Sequence, residues 1–269
     1  MASASSLEEP YTVPSADPLD AISNPRARLP WLKRTEDFGI PPPSSFWFNL
    51  ASTAVMAATT TFGRFVLMFH KVEFHNIETY RKLTTERKPN RPLITVSNHQ
   101  ATLDDPLLFS ALTSQVGVKQ SKNQRWTVGA AELCFGGMIV GAYCQLCKVL
   151  PVVRGIGIWQ PMMDDAVNVL QRKGFDNWVH IFPEGRVHQV RGELLRFKWG
   201  VGRLVADPDT TPIVLPIFIE GTKHIIDEKR KTKWLPSSLG GERIVIRVGE
   251  PIDFTDLVNE AKEQALLED

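Results

Sequence analysis

The sequence predicts an α/β protein with a mostly parallel central sheet flanked by helices. Short segments rich in Val, Ile and aromatic residues alternate along the chain with segments of helical periodicity. This alternation is typical of parallel sheets, because parallel strands need long crossover connections that are usually helices. Hydrophobic residues make up 43% of the 269 residues, which is enough for a sizeable core and excludes a globally disordered chain.

Six strands and three helices of the sheet domain follow from these patterns. The residues before one helix carry a start signal, since Asp105 is a good N-cap residue and Pro106 suits the first helical position. The predicted strands are Arg91–Ser97, Trp126–Ala130, Lys148–Arg154, Trp178–Phe182, Ile213–Glu220 and Arg243–Val248, and the other predicted helices are Gln160–Lys173 and Thr255–Leu267.

The first 43 residues predict a flexible N-terminal segment. They are rich in Pro, Ser and Asp and end in three consecutive prolines. Their acidic residues and lack of an Arg-rich pattern argue against a cleavable mitochondrial presequence, so any mitochondrial address would be internal.

Residues 44–70 predict a membrane-associated helix. Phe46–Gly63 contains no charged residue, and its eighteen residues would reach about 27 Å as a helix, against ~30 Å for a hydrocarbon core. Since several Asn, Ser and Thr residues interrupt the run and Arg64 follows it, we expect a helix that dips into one leaflet or lies along it. The alternative is a buried helix of a soluble core. The predicted membrane-contacting residues are Phe46, Trp47, Phe48, Phe62, Phe65, Leu67 and Phe69.

Charge and cysteine content exclude two classes of protein. The formal net charge is +1, whereas nucleic-acid-binding proteins usually carry a strong basic excess. The three cysteines, Cys134, Cys144 and Cys147, are too few for a disulfide framework and lie in one apolar stretch, so we expect buried or lipid-facing thiols. The surrounding run Leu133–Leu146 is either a second membrane-docking surface or a buried helix.

A histidine and an aspartate five residues apart form the clearest candidate site. His99 and Asp104 follow the end of a predicted strand, where ligands gather in α/β sheets. On a continuous helix they would point about 140° apart, so they can meet only if the chain turns between them. A carboxylate bonded to Nδ1 would leave Nε2 free as a general base. The alternative is a surface histidine followed by an N-cap aspartate.

Three further short strings of residues lie at the ends of predicted strands or within one. Phe182–Arg186 places a glycine and an arginine after a strand, a combination suited to phosphate, although a solvated turn has the same composition. Val152–Gly155 places Arg154 beside a glycine at another strand end. Pro212–Ile217 is an apolar strand with two prolines, which suggests an edge, a bulge or a packing wall.

Together, in their order along the chain, the four strings resemble the glycerophospholipid acyltransferase family of the His-x-x-x-x-Asp type, over about residues 70–255. The resemblance implies an acyltransferase domain over residues 71–269. It implies that His99 activates an acceptor hydroxyl and that Asp104 orients His99. The substrate-binding residues that it implies are Asn98, Arg154, Glu184, Gly185 and Arg186.

A closer resemblance is to the branch of that family whose members remodel cardiolipin as phospholipid–lysophospholipid transacylases. It is carried by Trp178–Val187, by Asn98–Gln100 with Leu103–Pro106, and by the preceding apolar segment. The resemblance implies phospholipid and lysophospholipid partners such as cardiolipin and phosphatidylcholine, independence of coenzyme A and no cofactor. It also implies a peripheral or monotopic protein of mitochondrial membranes that faces the intermembrane space, and it is compatible with a homo-oligomer.

Direct acyl transfer is favoured over an acyl-enzyme because the sequence lacks a Gly-x-Ser-x-Gly motif. No metal site is expected, since the remaining histidines show no ligand spacing. One alternative is a lysophospholipid acyltransferase that depends on acyl-coenzyme A. Another is a membrane-binding scaffold whose site has lapsed, against which the complete set of motif residues argues.

Overall fold

A computed structural model describes residues 45–88, 90–116, 124–173, 177–189, 193–225, 238 and 240–268. The predicted flexible segment 1–43 lies outside the described residues.

Helices and strands alternate along the described chain as the sequence predicts. The helices are α1 (Phe46–Leu67), α2 (Ile77–Thr85), α3 (Asp104–Val116), α4 (Ala131–Cys134), α5 (Met138–Leu146), α6 (Pro161–Leu170), α7 (Gly200–Ala206), α8 (Thr222–Ile225) and α9 (Thr255–Glu268). The strands are β1 (Lys71–His75), β2 (Leu93–Ser97), β3 (Trp126–Ala130), β4 (Val149–Val152), β5 (Trp178–Ile181), β6 (Ile213–Glu220), β7 (Arg243–Val248) and β8 (Ile252–Asp253).

The strands form one eight-stranded sheet in the order β1-β7-β6-β2-β5-β3-β4, with β8 pairing with β6. Strands β2 to β6 run parallel to their neighbours within this group, and β1 runs parallel to β7. Strand β6 pairs antiparallel with β7 and β8. The predicted mostly parallel sheet with flanking helices is therefore confirmed.

Side chains alternate between two apolar layers along the central strands. Leu93 and Leu215 pack with α3 and the end of α1 on one face of the sheet. Ile94 and Val214 pack with α6 and α7 on the other face. Since both faces are covered, these strands read as nearly continuous apolar runs in the sequence.

Helix α1 packs on α3 and α5 through one narrow stripe. It begins at Ser45, whose Oγ accepts a hydrogen bond of 3.0 Å from the Phe48 backbone N–H. The buried residues are Phe48, Ser52, Met56, Gly63 and Leu67, which recur at helical spacing. Only five of its 22 residues are buried, so the alternative of a fully buried core helix does not fit. Within the described part of the chain, α1 alone has the length and hydropathy to cross a bilayer.

Five of the seven predicted membrane-contacting side chains are exposed, and two predictions are wrong. Phe48 is only 1% exposed because its ring stacks on that of Trp126, with centroids 6.5 Å apart, and Leu67 belongs to the core beside α3. The exposed side chains are Phe46, Trp47, Phe62, Phe65 and Phe69. The uniform apolarity of the segment hides the buried stripe.

The apolar run Leu133–Leu146 forms two short helices that break at Gly136 and Gly137. Met138 and Ile139 at the start of α5 are exposed, whereas Cys144 is buried. The two alternatives for this run thus each describe one side of it.

Candidate active site

His99 and Asp104 meet at the carboxyl end of β2, where the chain turns before α3. The Nδ1 atom of His99 lies 3.0 Å from Oδ2 of Asp104. The same oxygen accepts hydrogen bonds from the backbone N–H groups of Gln100 and Ala101, at 2.5 and 2.8 Å. Since Asp104 is fully buried, its carboxylate has a fixed position from which to hold the imidazole.

The observed helix start lies two residues before the predicted one, at Asp104 instead of Pro106. Helix α3 begins at Asp104, and Asp105 is not its cap. The Asp105 carboxylate instead forms an ion pair with Arg125 and accepts a hydrogen bond of 2.9 Å from the Thr127 hydroxyl. Both adjacent aspartates were candidate caps from the sequence. In the structure Asp104 binds backbone N–H groups of the turn, whereas Asp105 binds Arg125 and Thr127.

The second nitrogen of His99 has no competing partner. With Nδ1 facing the carboxylate, the imidazole carries its proton there and leaves the Nε2 lone pair unused. No described group forms a hydrogen bond with Nε2, and the side chain is 18% exposed. The ring stacks on Phe182, with centroids 4.0 Å apart and an interplanar angle of 15°. The arrangement suits proton abstraction from a substrate at Nε2.

The Glu184 carboxylate fixes the backbone of His99. Its side chain is 2% exposed, and Oε1 accepts a hydrogen bond of 3.0 Å from the His99 backbone N–H. Its other oxygen accepts one of 2.9 Å from the Leu195 N–H. Glu184 thus positions the His99 loop, and its predicted contact with substrate stays a prediction.

Asn98 also positions the loop. Its amide Nδ2 donates to the Ile219 carbonyl at 2.8 Å, and its Oδ1 accepts from the Ile219 N–H at 2.7 Å. This two-point bond ties the end of β2 to β6, so both ends of the amide are engaged away from a substrate. The expectation that Asn98 touches substrate directly is not supported by this geometry.

Gly185 and Arg186 form the turn after β5. Gly185 has φ of +71°, a left-handed conformation that favours glycine, and its N–H donates to the Phe182 carbonyl at 3.1 Å. Arg186 is exposed and has no hydrogen-bond or ion-pair partner among the described residues. Its guanidinium is therefore available for an anionic group beside the His99 loop.

Arg154 lies apart from His99. It follows β4, which is separated from β2 by β5 and β3, about 14 Å across the sheet at the usual strand spacing. Its guanidinium forms an ion pair with Glu132, at the start of α4. The structure therefore does not bring Arg154 into contact with the other predicted site residues.

The His99 loop is also held by residues that the sequence patterns did not reveal. The His188 N–H donates to the His99 carbonyl at 2.7 Å, and Gln189 Nε2 donates to the Gln100 carbonyl at 2.8 Å. His180 lies fully buried beneath Phe182, 3.0 Å from the Thr95 hydroxyl, and burial lowers the pKa of His180 to about 3. Proximity to a motif was the one available signal for His188 and Gln189.

Comparison with known proteins identifies the family of this chain. The sequence profile of the Acyltransferase family matches residues 71–220, which include every strand from β1 to β6. The chain belongs to the acyltransferase family. Tafazzin of Drosophila melanogaster is 34% identical to this acyltransferase over 84% of the chain and 57% of the fly protein.

Two other relatives extend the comparison. Taffazin of Dictyostelium discoideum is 38% identical over 60% of this chain and 55% of its own length. N-acylphosphatidylethanolamine synthase of Arabidopsis thaliana is 34% identical over 84% of this chain and 76% of its own. The chain thus spans a little over half of the fly and Dictyostelium proteins. The family branch resembled by Trp178–Val187 is that of the tafazzins, so the recognition from the sequence is confirmed.

No group of three His, Cys, Asp or Glu side chains within the described ranges is placed to hold a metal ion.

Proposed function

We propose that this acyltransferase is a coenzyme-A-independent transacylase that moves acyl chains from phospholipids to lysophospholipids and so remodels cardiolipin. The observation that carries the proposal is the His99 imidazole, bonded to a buried carboxylate through Nδ1 and free at Nε2. Such a base can take the proton of an attacking hydroxyl and return it to a departing glycerol oxygen, so an oxygen ester can serve as the acyl donor. The resemblance to the tafazzins supports the choice of substrate.

The proposed reaction has two proton transfers through one nitrogen. His99 Nε2 takes the proton from the hydroxyl of a lysophospholipid as that oxygen attacks the ester carbonyl of a phospholipid. The tetrahedral intermediate then collapses, the imidazolium returns the proton to the departing glycerol oxygen, and a new lysophospholipid leaves. The buried Asp104 carboxylate stabilises the imidazolium in between. Base help of this kind is worth about 10²–10⁴-fold.

The free guanidinium of Arg186 would bind a phosphate of the acceptor, beside the base. Phosphatidylcholine would act as acyl donor and a cardiolipin lacking one chain as acceptor. The exposed aromatic side chains of α1 would hold the protein on mitochondrial membranes facing the intermembrane space, as a peripheral or monotopic enzyme.

A second candidate reaction is acyl transfer to the amine of phosphatidylethanolamine. The Arabidopsis relative, of which this chain covers 76%, is named for the product of that reaction. His99 would then remove a proton from the amine as the nitrogen attacks the ester, and the new bond would be an amide. The two candidates share the base and differ in the acceptor atom.

One experiment separates these reactions. Purified protein freed of coenzyme A would be incubated with labelled phosphatidylcholine, a monolysocardiolipin and phosphatidylethanolamine, and the lipids analysed by mass spectrometry. The proposal expects label in cardiolipin and an equal amount of lysophosphatidylcholine. Label in N-acylphosphatidylethanolamine alone would favour the second candidate. Transfer that appears only after acyl-coenzyme A is added would contradict the proposed donor, and His99→Ala provides the inactive control.

A further inference from the structure

The residues between the turn after β5 and α7 expose an unusual mixture of side chains. We call Leu194–Trp199 the 194–199 segment. It forms neither helix nor strand, and Leu194, Phe197 and Trp199 are 55%, 50% and 73% exposed. Arg196 and Lys198 are exposed between them. Large apolar and basic side chains alternating on a surface are typical of segments that contact the interface of a lipid bilayer.

Both cations of the 194–199 segment are available to a partner. Neither Arg196 nor Lys198 forms an ion pair with any residue that the structure describes. Glu193 is the acid beside them, and it is exposed. The Lys198 side chain lies against Gly185, where its Cγ would be 3.3 Å from an added Cβ. Two unpaired cations next to two exposed aromatic rings are complementary to a partner that carries both negative charge and apolar surface.

The segment is fixed to the machinery that holds His99. Its Leu195 N–H donates to Oε2 of Glu184 at 2.9 Å, while Oε1 of the same carboxylate accepts from the His99 N–H. The Lys198 N–H donates to the Pro183 carbonyl at 2.7 Å. One buried carboxylate therefore sets the position of the 194–199 segment relative to the base.

The segment lies on the opposite side of the sheet from the C-terminal end of α1, whereas the start of α1 packs through Phe48 on the segment's own side. Helix α7 follows it directly and packs through Leu204 on the layer of Ile94. The end of α1 packs through Leu67 on the layer of Leu93. Trp159, which is 64% exposed, adds to the same side and stacks on Arg203 of α7 at 4.6 Å. Exposed apolar groups thus flank the carboxyl edge of the sheet on both sides.

From this geometry we infer that the 194–199 segment is a second membrane-contact site, specific for a bilayer surface that contains anionic phospholipids. Phe197 and Trp199 enter the headgroup layer, and Arg196 and Lys198 bind lipid phosphates. Together with α1 the segment holds the carboxyl edge, and with it His99, against the depth at which acyl esters lie. The inference rests on the proposed function only in that the substrates are lipids of a bilayer.

Vesicle binding by the full chain tests this site without any turnover. Vesicles of phosphatidylcholine, with and without phosphatidylglycerol, would be titrated with wild type, Arg196→Gln/Lys198→Gln and Phe197→Ser/Trp199→Ser. Each cation removed should weaken binding to the anionic vesicles by about fivefold, with little change on neutral vesicles. Removal of both aromatic rings should weaken binding to both vesicle types by about tenfold.

The matched control is Leu257→Ser/Lys262→Gln on α9. That helix follows β8, which pairs with the first residues of β6 and so lies at the opposite edge of the central strands. Both control side chains are exposed. The control should bind both vesicle types like the wild type. Wild-type affinity of both segment variants, or an equal loss in the control, would overturn the inference.

A second measurement does not depend on the affinity of a damaged variant. Trp199→Phe keeps an aromatic ring but removes one fluorophore, so brominated phosphatidylcholine in anionic vesicles should quench a smaller fraction of its emission than in the wild type. An unchanged quenched fraction would show that Trp199 stays outside the bilayer and would overturn the inference. Because binding and acyl transfer are read separately, failure of one leaves the other result intact.

Discussion

At the scale of single residues, the site depends on how its histidine is held from three directions. The Asp104 carboxylate bonds to the imidazole, Glu184 bonds to the His99 backbone N–H, and Phe182 covers one face of the ring. The side chain therefore has one orientation before a lipid arrives, so little ordering is left for the reaction itself.

Asp104→Asn should separate charge from shape. The amide is isosteric, and its oxygen should take the place of Oδ2, where it accepts from the Gln100 and Ala101 N–H groups and from Nδ1, so the substitution removes the negative charge that stabilises the imidazolium. We expect acyl transfer to fall by about 10³–10⁴-fold, as in other histidine–aspartate pairs. Steady-state lipid exchange checks this, with circular dichroism as the folding control. Transfer at the wild-type rate would exclude a catalytic contribution from the Asp104 charge.

His180 predicts a pH dependence of stability. Its pKa is about 3 in the folded protein because of burial, against about 6.5 in an unfolded chain. Below pH 6.5 the unfolded state gains a proton that the native state does not, so stability falls as the pH is lowered. Between pH 7 and pH 5 this effect should cost about 2 kcal/mol in the free energy of unfolding.

Urea denaturation of wild type and His180→Gln at both pH values measures this effect. The variant should lose the pH-dependent part, whatever its stability at pH 7. Equal losses in the two proteins between pH 7 and pH 5 would show that another group is responsible.

The sequence predicted the His99–Asp104 contact because both residues lie within one turn. It did not predict the positioning roles of Glu184 and Asn98, since their partners are distant in sequence: His99 precedes Glu184 by 85 residues, and Ile219 follows Asn98 by 121. A motif shows that a polar residue matters, but its partner depends on strand order.

At the scale of elements, α1 shows how close packing is encoded by a small residue. Gly63 lies against Ser110 of α3, so closely that an added Cβ would be 2.2 Å from the serine Oγ and 2.7 Å from its Cβ. Helices approach this closely only where one side chain is missing. This contact bears on the candidate site, because α3 begins at the site residue Asp104.

Gly63→Ala should therefore loosen α1 from α3. We expect a loss of about 1–3 kcal/mol in stability from overpacking, together with faster proteolysis within α1. The control is Gly202→Ala in α7, where an added Cβ meets nothing within 4 Å and should stabilise the protein slightly. Equal thermal stability of Gly63→Ala and wild type would contradict the close α1–α3 contact.

Strands β2 to β7 were predictable, including the edge strand β4, whereas β1 and β8 were not. Strands β2, β3, β5, β6 and β7 are apolar runs whose residues are largely buried or half-buried, so their patterns stand out. The edge strand β1 carries Lys71 and Glu73 and is half-exposed, and β8 has two residues. Such strands owe their form to their neighbours rather than to their composition.

At the scale of the whole molecule, the sheet orders the site along one edge. His99 follows β2 and the Phe182–Arg186 turn follows β5, and these two strands are neighbours, so the motifs meet. Arg154 follows β4, which is separated from β2 by β5 and β3. Arg154 therefore lies apart from His99, although it also follows the end of a parallel strand. Strand order depends on long-range pairing, and nothing in the local sequence reports it.

The same edge explains how a protein with a net charge of +1 would reach lipid esters. Its overall field is weak, so attraction to a membrane has to come from local surfaces, namely the aromatic face of α1 and the 194–199 segment.

The most direct test of the account is acyl transfer by His99→Ala in the absence of coenzyme A. If the imidazole is the base, transfer from phosphatidylcholine to a lysophospholipid should fall by about 10²–10⁴-fold while vesicle binding stays that of the wild type. Lipid turnover by His99→Ala at the wild-type rate would contradict the central claim.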